Sequence, residues 1–188
     1  MGRHLEWALL LLASSACGNG ASPQSAVSGR ALLSGLSDHS GIFVFVSGRG
    51  VAEDSQVTDA SGSWSFQEPG NFRVFVSAYA PSTRETELEG YVDLTGSNGA
   101  TIPDFIFTPV GALTGSVTVS RGSPEGVTVA LEGTDLVATT DAGGHFTMDG
   151  VVAGTYTLRA SMSGQPAVSR PGVVVAYKQT TTVTSIAL

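Results

Sequence analysis

Few side chains in this sequence have the type and spacing that catalysis requires. The 188 residues include three histidines, His4, His39 and His145, and one cysteine, Cys17. A zinc peptidase needs histidine and carboxylate ligands at close spacing together with a general base, whereas His39 and His145 lie in different halves of the chain. No Gly-x-Ser-x-Gly sequence is present to carry a serine nucleophile. The sequence therefore predicts a protein that is not an enzyme and needs no metal and no cofactor.

Two Thr-Asp-x-x-Gly sequences, at 58–62 and 140–144, are the best candidates for a carboxylate site. A calcium site would use Asp141 with Asp135 and Asp149, but the alternating acidic ligands that end in a glutamate are missing. An aspartate that bonds its own backbone two residues on, followed by a glycine with positive φ, is typical of a tight turn. We therefore predict turns here and keep calcium as the lesser alternative.

The charge balance argues against a nucleic-acid partner. Nine lysines and arginines face 16 aspartates and glutamates, which gives a formal net charge of −7. A nucleic-acid-binding domain normally presents a stripe of basic side chains, and too few are available to form one. The single cysteine also excludes an internal disulfide framework.

The N-terminal segment has the composition of a secretory signal. Residues 1–16 carry Arg3 in a short polar start, an apolar run at 8–13, and small residues before Cys17. The run is shorter than the roughly 20 apolar residues of a membrane-spanning helix. Ser14-Ser15-Ala16-Cys17 resembles a bacterial lipobox, in which the cysteine is acylated and becomes the new N-terminus.

This resemblance predicts a lipoprotein signal peptide at 1–16, lipidation of Cys17, and a tether at 17–26. An acyl chain would attach the protein to a membrane by burying its methylene groups. Since the residue after Cys17 is not aspartate, the resemblance to lipoproteins of the enteric type implies the outer membrane. Simple cleavage after Ala16, giving a secreted or periplasmic protein, is the alternative.

The remaining chain contains an internal repeat. Both copies are rich in β-branched and aromatic residues, with Gly, Pro, Asp and Ser at turns every 8 to 12 residues, and this pattern predicts an all-β protein. We place the two domains at 27–109 and 110–188. The matching segments are 41–46 with 126–131, 58–64 with 140–146, and 70–74 with 154–158.

The second copy resembles the carboxypeptidase regulatory-like domain family, and the motifs that carry the likeness are Gly126-Val127-Thr128-Val129, Thr140-Asp141-Ala142-Gly143-Gly144-His145-Phe146 and Gly154-Thr155-Tyr156-Thr157-Leu158. The first copy departs from it with Trp64 at the aromatic position and Val74 in place of leucine. The resemblance implies two tandem transthyretin-like, or immunoglobulin-like, β-sandwiches. The family is also grouped with carbohydrate-binding-like folds, but such modules are appended to many unrelated proteins.

Aromatic residues of the first copy are the candidate binding groups. Trp64 has the form of a sugar-stacking platform, but its alignment with Phe146 favours a core position. Side chains alternate along a strand, so aligning Ile42, Val44 and Val46 with the inward residues of copy two places Phe43 and Phe45 outward.

The same reasoning on the later strand predicts that Phe75 faces outward while Phe72, Val74 and Val76 face inward. The predicted counterparts of Phe43, Phe45 and Phe75 in copy two are Thr128, Ala130 and Arg159. Contiguous apolar surface marks an interface. We expect the second domain or the segment 81–99 to cover these phenylalanines, with an external partner as the alternative.

The sequence thus favours a non-catalytic cell-envelope lipoprotein that acts as a structural or adhesive interaction module. Its expected partners are the membrane, through the lipid anchor, and an envelope protein. The alternative is a surface protein that recognises an envelope or extracellular polysaccharide.

Overall fold

A computed structural model describes residues 24–48, 51–69, 72–95 and 99–188, which form an all-β protein without a helix. The strands in chain order are β1 (Gln24–Leu33), β2 (Phe43–Gly48), β3 (Val51–Val57), β4 (Ser63–Pro69), β5 (Arg73–Tyr79), β6 (Leu88–Asp93), β7 (Gly99–Thr101), β8 (Phe105–Phe107), β9 (Val110–Thr118), β10 (Thr128–Leu131), β11 (Val137–Thr139), β12 (His145–Val152), β13 (Gly154–Ser161), β14 (Val168–Val175) and β15 (Thr180–Ala187). The predicted signal peptide and Cys17 lie outside the described residues, and residues 24–26 of the predicted tether belong to β1.

The strands form four sheets with the same order in each half of the chain. In the first half, β4-β1-β7, with β8 also paired to β1, faces β3-β2-β5-β6. In the second half, β12-β9-β15 faces β11-β10-β13-β14. Strands β7 and β8 pair in parallel with β1, as β15 does with β9. Strands β1 to β6 therefore correspond to β9 to β14, and we call the two halves the first and second sandwich.

Each sandwich encloses its own apolar cluster. Alternating residues of β2, among them Val44 and Val46, are fully buried in the first cluster, and Val129 and Leu131 of β10 are fully buried in the second. In sequence order the first cluster ends with Phe107 and the second begins with Leu113. The chain thus moves from one core to the next through β9.

A glycine opposite an aromatic ring is repeated in both cores. Gly29 pairs with Trp64 across β1 and β4, and Gly115 pairs with Phe146 across β9 and β12. Both aromatic side chains are only 3% exposed. A ring that lies over a glycine on the neighbouring strand covers backbone that no side chain protects. Trp64 is therefore a core residue, in the site equivalent to that of Phe146.

The Asp-x-x-Gly sequences form the predicted turns before β4 and β12. The Oδ1 atom of Asp59 accepts a hydrogen bond from the Ser61 amide at 2.8 Å, and that of Asp141 accepts one from the Gly143 amide at 2.9 Å. Gly62 and Gly144 have φ of 72° and 79°, and an added Cβ would lie 2.3 and 2.2 Å from a backbone oxygen. Positive φ and close approach of backbone together require glycine there.

The junction between the sandwiches is built from backbone and one tyrosine. The amide of Val110 donates to the carbonyl of Ser82 at 2.9 Å, which ties the start of β9 to the segment after β5. Tyr177, between β14 and β15, packs against the core of the first sandwich, and its hydroxyl donates to the carbonyl of Pro81 at 2.8 Å. The second sandwich thus contributes the side chain of Tyr177 to the first.

Candidate functional site

The outer surface of the sheet β3-β2-β5-β6 is the candidate site, and we call it the aromatic face. Val44 and Val46 of β2, and Val74 and Val76 of β5, point into the core. Because side chains alternate along a strand, the residues between them point to the opposite side. Phe43, Phe45 and Phe75 lie there together, as do Tyr79 and Tyr91.

Strand register brings these rings into two pairs. Phe43 lies opposite Tyr79 across β2 and β5, with ring centroids 6.2 Å apart. Phe75 lies opposite Tyr91 across β5 and β6, with centroids 5.0 Å apart and planes tilted by 54°. Tilted aromatic pairs at such distances stabilise a sheet beyond the area they bury. The pairs thus hold the rings in fixed positions.

Four of the five rings on this face are exposed to solvent over a large part of their surface. Phe43, Phe45 and Tyr79 are 40%, 43% and 43% exposed, and Tyr91 is 69% exposed. The second sandwich and the segment 81–99 leave Phe43 and Phe45 exposed, so the expectation that they would be covered is wrong. Phe75 is partly buried, since Tyr91 of that segment lies beside it. Several large apolar side chains are thus exposed on one side of one sheet, as is common at binding surfaces.

The second sandwich carries small or polar residues at the equivalent positions. Thr128 and Ala130 occupy the places of Phe43 and Phe45, as the sequence predicts. The predicted pairing of Phe75 with Arg159 is wrong: Arg159 lies opposite Ala130, just as Ser77 lies opposite Phe45, so the counterpart of Phe75 is Thr157. The aromatic face therefore belongs to the first sandwich alone.

Another expectation for this sheet is also wrong. Phe72, predicted to point inward, is 38% exposed, because it precedes the first residue of β5 at the end of the sandwich. Its carbonyl accepts a hydrogen bond from the amide of Leu94 at 2.9 Å. Phe72 is therefore no part of the core.

Acidic side chains border the aromatic face along β6. Glu89 and Asp93 are exposed and stand on either side of Tyr91 along the strand. The Thr95 side chain and the Thr95 amide, which donates to the Oδ1 atom of Asp93 at 2.9 Å, lower the pKa of that carboxyl, and the charge of Arg73 lowers it further. Asp93 therefore stays ionised at neutral pH.

Sequence reasoning missed Tyr79 and Tyr91. Tyr79 follows Phe75 by four residues, so the alternation that placed Phe75 outward already placed Tyr79 beside it. Tyr91 lies in the segment 81–99, whose poor match to copy two concealed that β6 is the counterpart of β14. The alternation along β5 could thus have predicted the outward position of Tyr79 from the sequence. The position of Tyr91 on the same face follows only from the order of the strands in the sheet.

The remaining candidates do not gather into a site. Across the described residues, no three His, Cys, Asp or Glu side chains lie close enough together to hold a metal ion. The Nδ1 atom of His39 accepts a hydrogen bond from the Leu33 amide at 3.0 Å, and the amide of His145 donates to Asp141 at 2.8 Å. The described part of the chain contains no helix long and apolar enough to cross a membrane.

The second sandwich is similar to a known domain family. Residues 112–188 match the carboxypeptidase regulatory-like domain, which confirms the predicted family for that sandwich. The match does not extend to the first sandwich, so two tandem copies of this domain remain a prediction. A search of curated proteins finds no match.

Several solved structures are similar in fold. The minor pilin GBS52 of Streptococcus agalactiae is 15% identical, with 87% of this chain and 94% of that chain covered and a TM-score of 0.36. The shaft pilin SpaA of Lactobacillus rhamnosus GG is 10% identical, with coverage of 87% and 98% and a TM-score of 0.40. A cohesin–X-dockerin complex from Acetivibrio cellulolyticus is 23% identical over 40% of this chain, at a TM-score of 0.36. The match to the cohesin–X-dockerin complex covers only 52% of the length of that chain.

Proposed function

We propose, from the regulatory-like domain at 112–188 and the aromatic face beside it, that this protein is a non-catalytic structural or adhesive module of the cell envelope. It binds another envelope component through the aromatic face. The observation that carries this proposal is that four aromatic side chains on one sheet surface are each at least 40% exposed. A partner that covers the exposed part of each ring would gain a fraction of the roughly 1.5–3 kcal/mol that full burial of a large apolar side chain contributes.

A lipid anchor at Cys17 is the proposed means of attachment, at the outer membrane, with secretion or a periplasmic location as the alternative. The support is the lipobox-like sequence Ser14-Ser15-Ala16-Cys17 after an apolar run. Expressed at full length in a bacterial host, the protein should give an intact mass equal to a chain that begins at an acylated Cys17. Cys17→Ser should release it from the membrane fraction, and a soluble wild-type product with an unmodified first residue would refute the anchor.

Polysaccharide recognition is the second candidate function. The specific observation that favours it is the combination of exposed rings with a carboxylate border, since Tyr91 stands between Glu89 and Asp93. Flat rings offer apolar contact area, and ionised carboxylates accept strong hydrogen bonds from hydroxyl groups. A glycan array probed with the wild-type protein tests this candidate.

The aromatic face itself is tested by substituting its phenylalanines with their structural counterparts. The triple variant Phe43→Thr, Phe45→Ala, Phe75→Thr should lose its partner in pull-downs from envelope extracts and should remain folded, because the inward residues are untouched. Its melting temperature should fall, since both aromatic pairs are lost. The matched control is Val137→Thr with Val174→Thr, which removes exposed apolar side chains from the second sandwich. Retention of the partner by the triple variant, or equal loss of the partner in the control, would overturn the proposal.

A further inference from the structure

Strand β6 borders the aromatic face and forms one edge of its sheet. It pairs with β5 from Leu88 to Asp93 without a register shift. Within the described residues, β5 is its one strand neighbour. Alternate residues of such a strand direct their N–H and C=O groups away from the sheet, where another extended chain can bind them.

The other edge strands of the described sheets are protected against such pairing. Strands β7, β8 and β11 have three residues each. Strands β3, β12 and β15 have irregular registers with their neighbours. On β4, the Oε1 atom of Gln56 accepts a hydrogen bond from the amide of Ser65 at 3.0 Å, so a side chain already occupies that edge. Short strands, bulges and covering groups are the devices by which proteins block edges.

The counterpart of β6 in the second sandwich carries two such devices. Strand β14 contains Pro171, which has no N–H to donate, and its register with β13 shifts between Tyr156 and Leu158. Strand β6 has neither a proline nor a shift. The sandwich that has the aromatic face is therefore also the one whose outer edge strand pairs in a regular register and has, among the described residues, no second strand neighbour.

The charges on β6 determine what kind of strand fits. Glu89, Tyr91 and Asp93 alternate along β6 and share one side of the sheet. If two copies of β6 paired antiparallel about Tyr91, Glu89 of one copy would lie opposite Asp93 of the other. Like charges directly opposite each other destabilise a sheet. A second copy is thus disfavoured, whereas basic side chains at both positions would be complementary.

We propose that β6 accepts an extended segment of a partner protein, in which two basic residues flank an apolar or aromatic residue at alternate positions. The backbone of this segment continues the sheet, its basic residues lie opposite Glu89 and Asp93, and its middle residue packs beside Tyr91. Backbone hydrogen bonds then supply affinity and the side chains supply specificity. This inference rests on the proposed function, because it assigns the partner's chemistry at the aromatic face.

A synthetic peptide, acetyl-Thr-Lys-Val-Tyr-Val-Lys-Thr-amide, is the probe. Titrated into the full isotope-labelled chain, it should shift the amide resonances of β6 and slow hydrogen exchange at alternate β6 amides. A peptide with glutamate in place of both lysines should bind about tenfold more weakly or worse. A version N-methylated at alternate residues should slow no β6 exchange, because it lacks the donors that a new strand needs.

Paired variants test the charges. The double variant Glu89→Gln with Asp93→Asn keeps the side-chain shapes and should lower the affinity for the lysine peptide by about tenfold. Glu125→Gln with Asp135→Asn removes the same number of charges from exposed sites of the second sandwich and should leave affinity unchanged. Equal weakening in both variants would mean that only net charge matters and would overturn the inference.

Other results would also overturn it, and they separate it from the proposed function. Slowed exchange on a different edge strand, a concentration-dependent dimer through β6, or binding of oligosaccharides with no protection of β6 amides would each contradict strand addition. The aromatic-face proposal survives those results as long as the triple phenylalanine variant loses its partner. The aromatic-face proposal fails if the triple variant retains the partner, regardless of whether the peptide binds to β6.

Discussion

At the scale of single residues, the two glycine–aromatic pairs are close contacts within the cores. A Cβ added at Gly29 would lie 2.5 Å from Cζ2 of Trp64, and one added at Gly115 would lie 2.8 Å from Cζ of Phe146. Both rings are enclosed by core residues, so neither can move aside without displacing its neighbours.

Substituting either glycine should therefore destabilise its sandwich. We expect Gly29→Ala and Gly115→Ala each to lower the free energy of unfolding by about 1–3 kcal/mol, the usual cost of overpacking. Gly154→Ala is the control, since its added Cβ would meet Tyr156 at an ordinary 3.4 Å. Chemical denaturation measures all three, and an effect confined to the control would contradict the packing described here.

Trp64 differs from Phe146 in having a polar atom. Its Nε1 is buried and has no hydrogen-bond partner among the described residues. Trp64→Ala should cost about 3–5 kcal/mol. Trp64→Phe should cost far less, within about 1 kcal/mol of wild type, because losing an unpaired donor offsets part of the lost contact area. Thermal melts of the two variants measure these losses, and a loss for Trp64→Phe as large as that for Trp64→Ala would contradict this expectation.

Glu68 makes stability depend on pH. It lies on the inward side of β4, and burial, followed by the charge of Asp54, raises the pKa of its carboxyl. The folded state then holds a proton more tightly than the unfolded state, so Glu68 opposes folding increasingly as pH rises. Glu68→Gln should raise the melting temperature at pH 7, and the gain should vanish below about pH 4, where the unfolded state is protonated too. A gain that is unchanged at low pH would contradict this.

Glu85 provides the opposite case. Burial would raise the pKa of its carboxyl, but hydrogen bonds from the amide and hydroxyl of Thr108 outweigh it, so the pKa is lowered. The stability it contributes is present above its unfolded pKa and is lost as pH falls through the folded value. Glu85→Gln should therefore lower the melting temperature at pH 7, with a smaller difference in acid. A variant as stable as wild type at pH 7 would show that these bonds contribute nothing net.

At the scale of strands, the sequence predicts which side of the sheet a residue faces. It does not predict which strands pair with each other. The alignment that matched Phe75 to Arg159 was in error by two residues, yet Phe75 still faces outward, because a two-residue shift preserves the side of the strand. Strand β6 had no counterpart by sequence, since its relation to β14 depends on which strands are neighbours. The position of β6 at the edge of its sheet likewise follows from long-range pairing, which local patterns do not encode.

At the scale of the whole molecule, the described residues form two separate cores, and Tyr177 of the second sandwich packs against the first. The cluster of the second sandwich contains no residue of the first, but Tyr177 packs against the first cluster. We expect residues 110–188 to fold alone, with protected amides in β9, β10 and β13. A fragment without protected amides would contradict independent cores.

Tyr177 should hold the sandwiches in a fixed orientation. Tyr177→Ala removes both its packing and its hydrogen bond to Pro81, and should increase the relative motion of the two halves in residual dipolar couplings. Tyr177→Phe keeps the packing and should fall in between. Couplings that already report independent motion in the wild type would refute this role.

The central claim is that the aromatic face binds an envelope partner, and crosslinking in intact cells tests it most directly. A photo-crosslinking phenylalanine analogue would replace Tyr91 on that face or, as the control, Val174 on the second sandwich, both well exposed at 69% and 56%. We predict a discrete crosslinked product from the first position, lost when Phe43→Thr and Phe45→Ala are added, and none from the second. A product from Val174 alone, or one from Tyr91 that survives the added substitutions, would contradict the account.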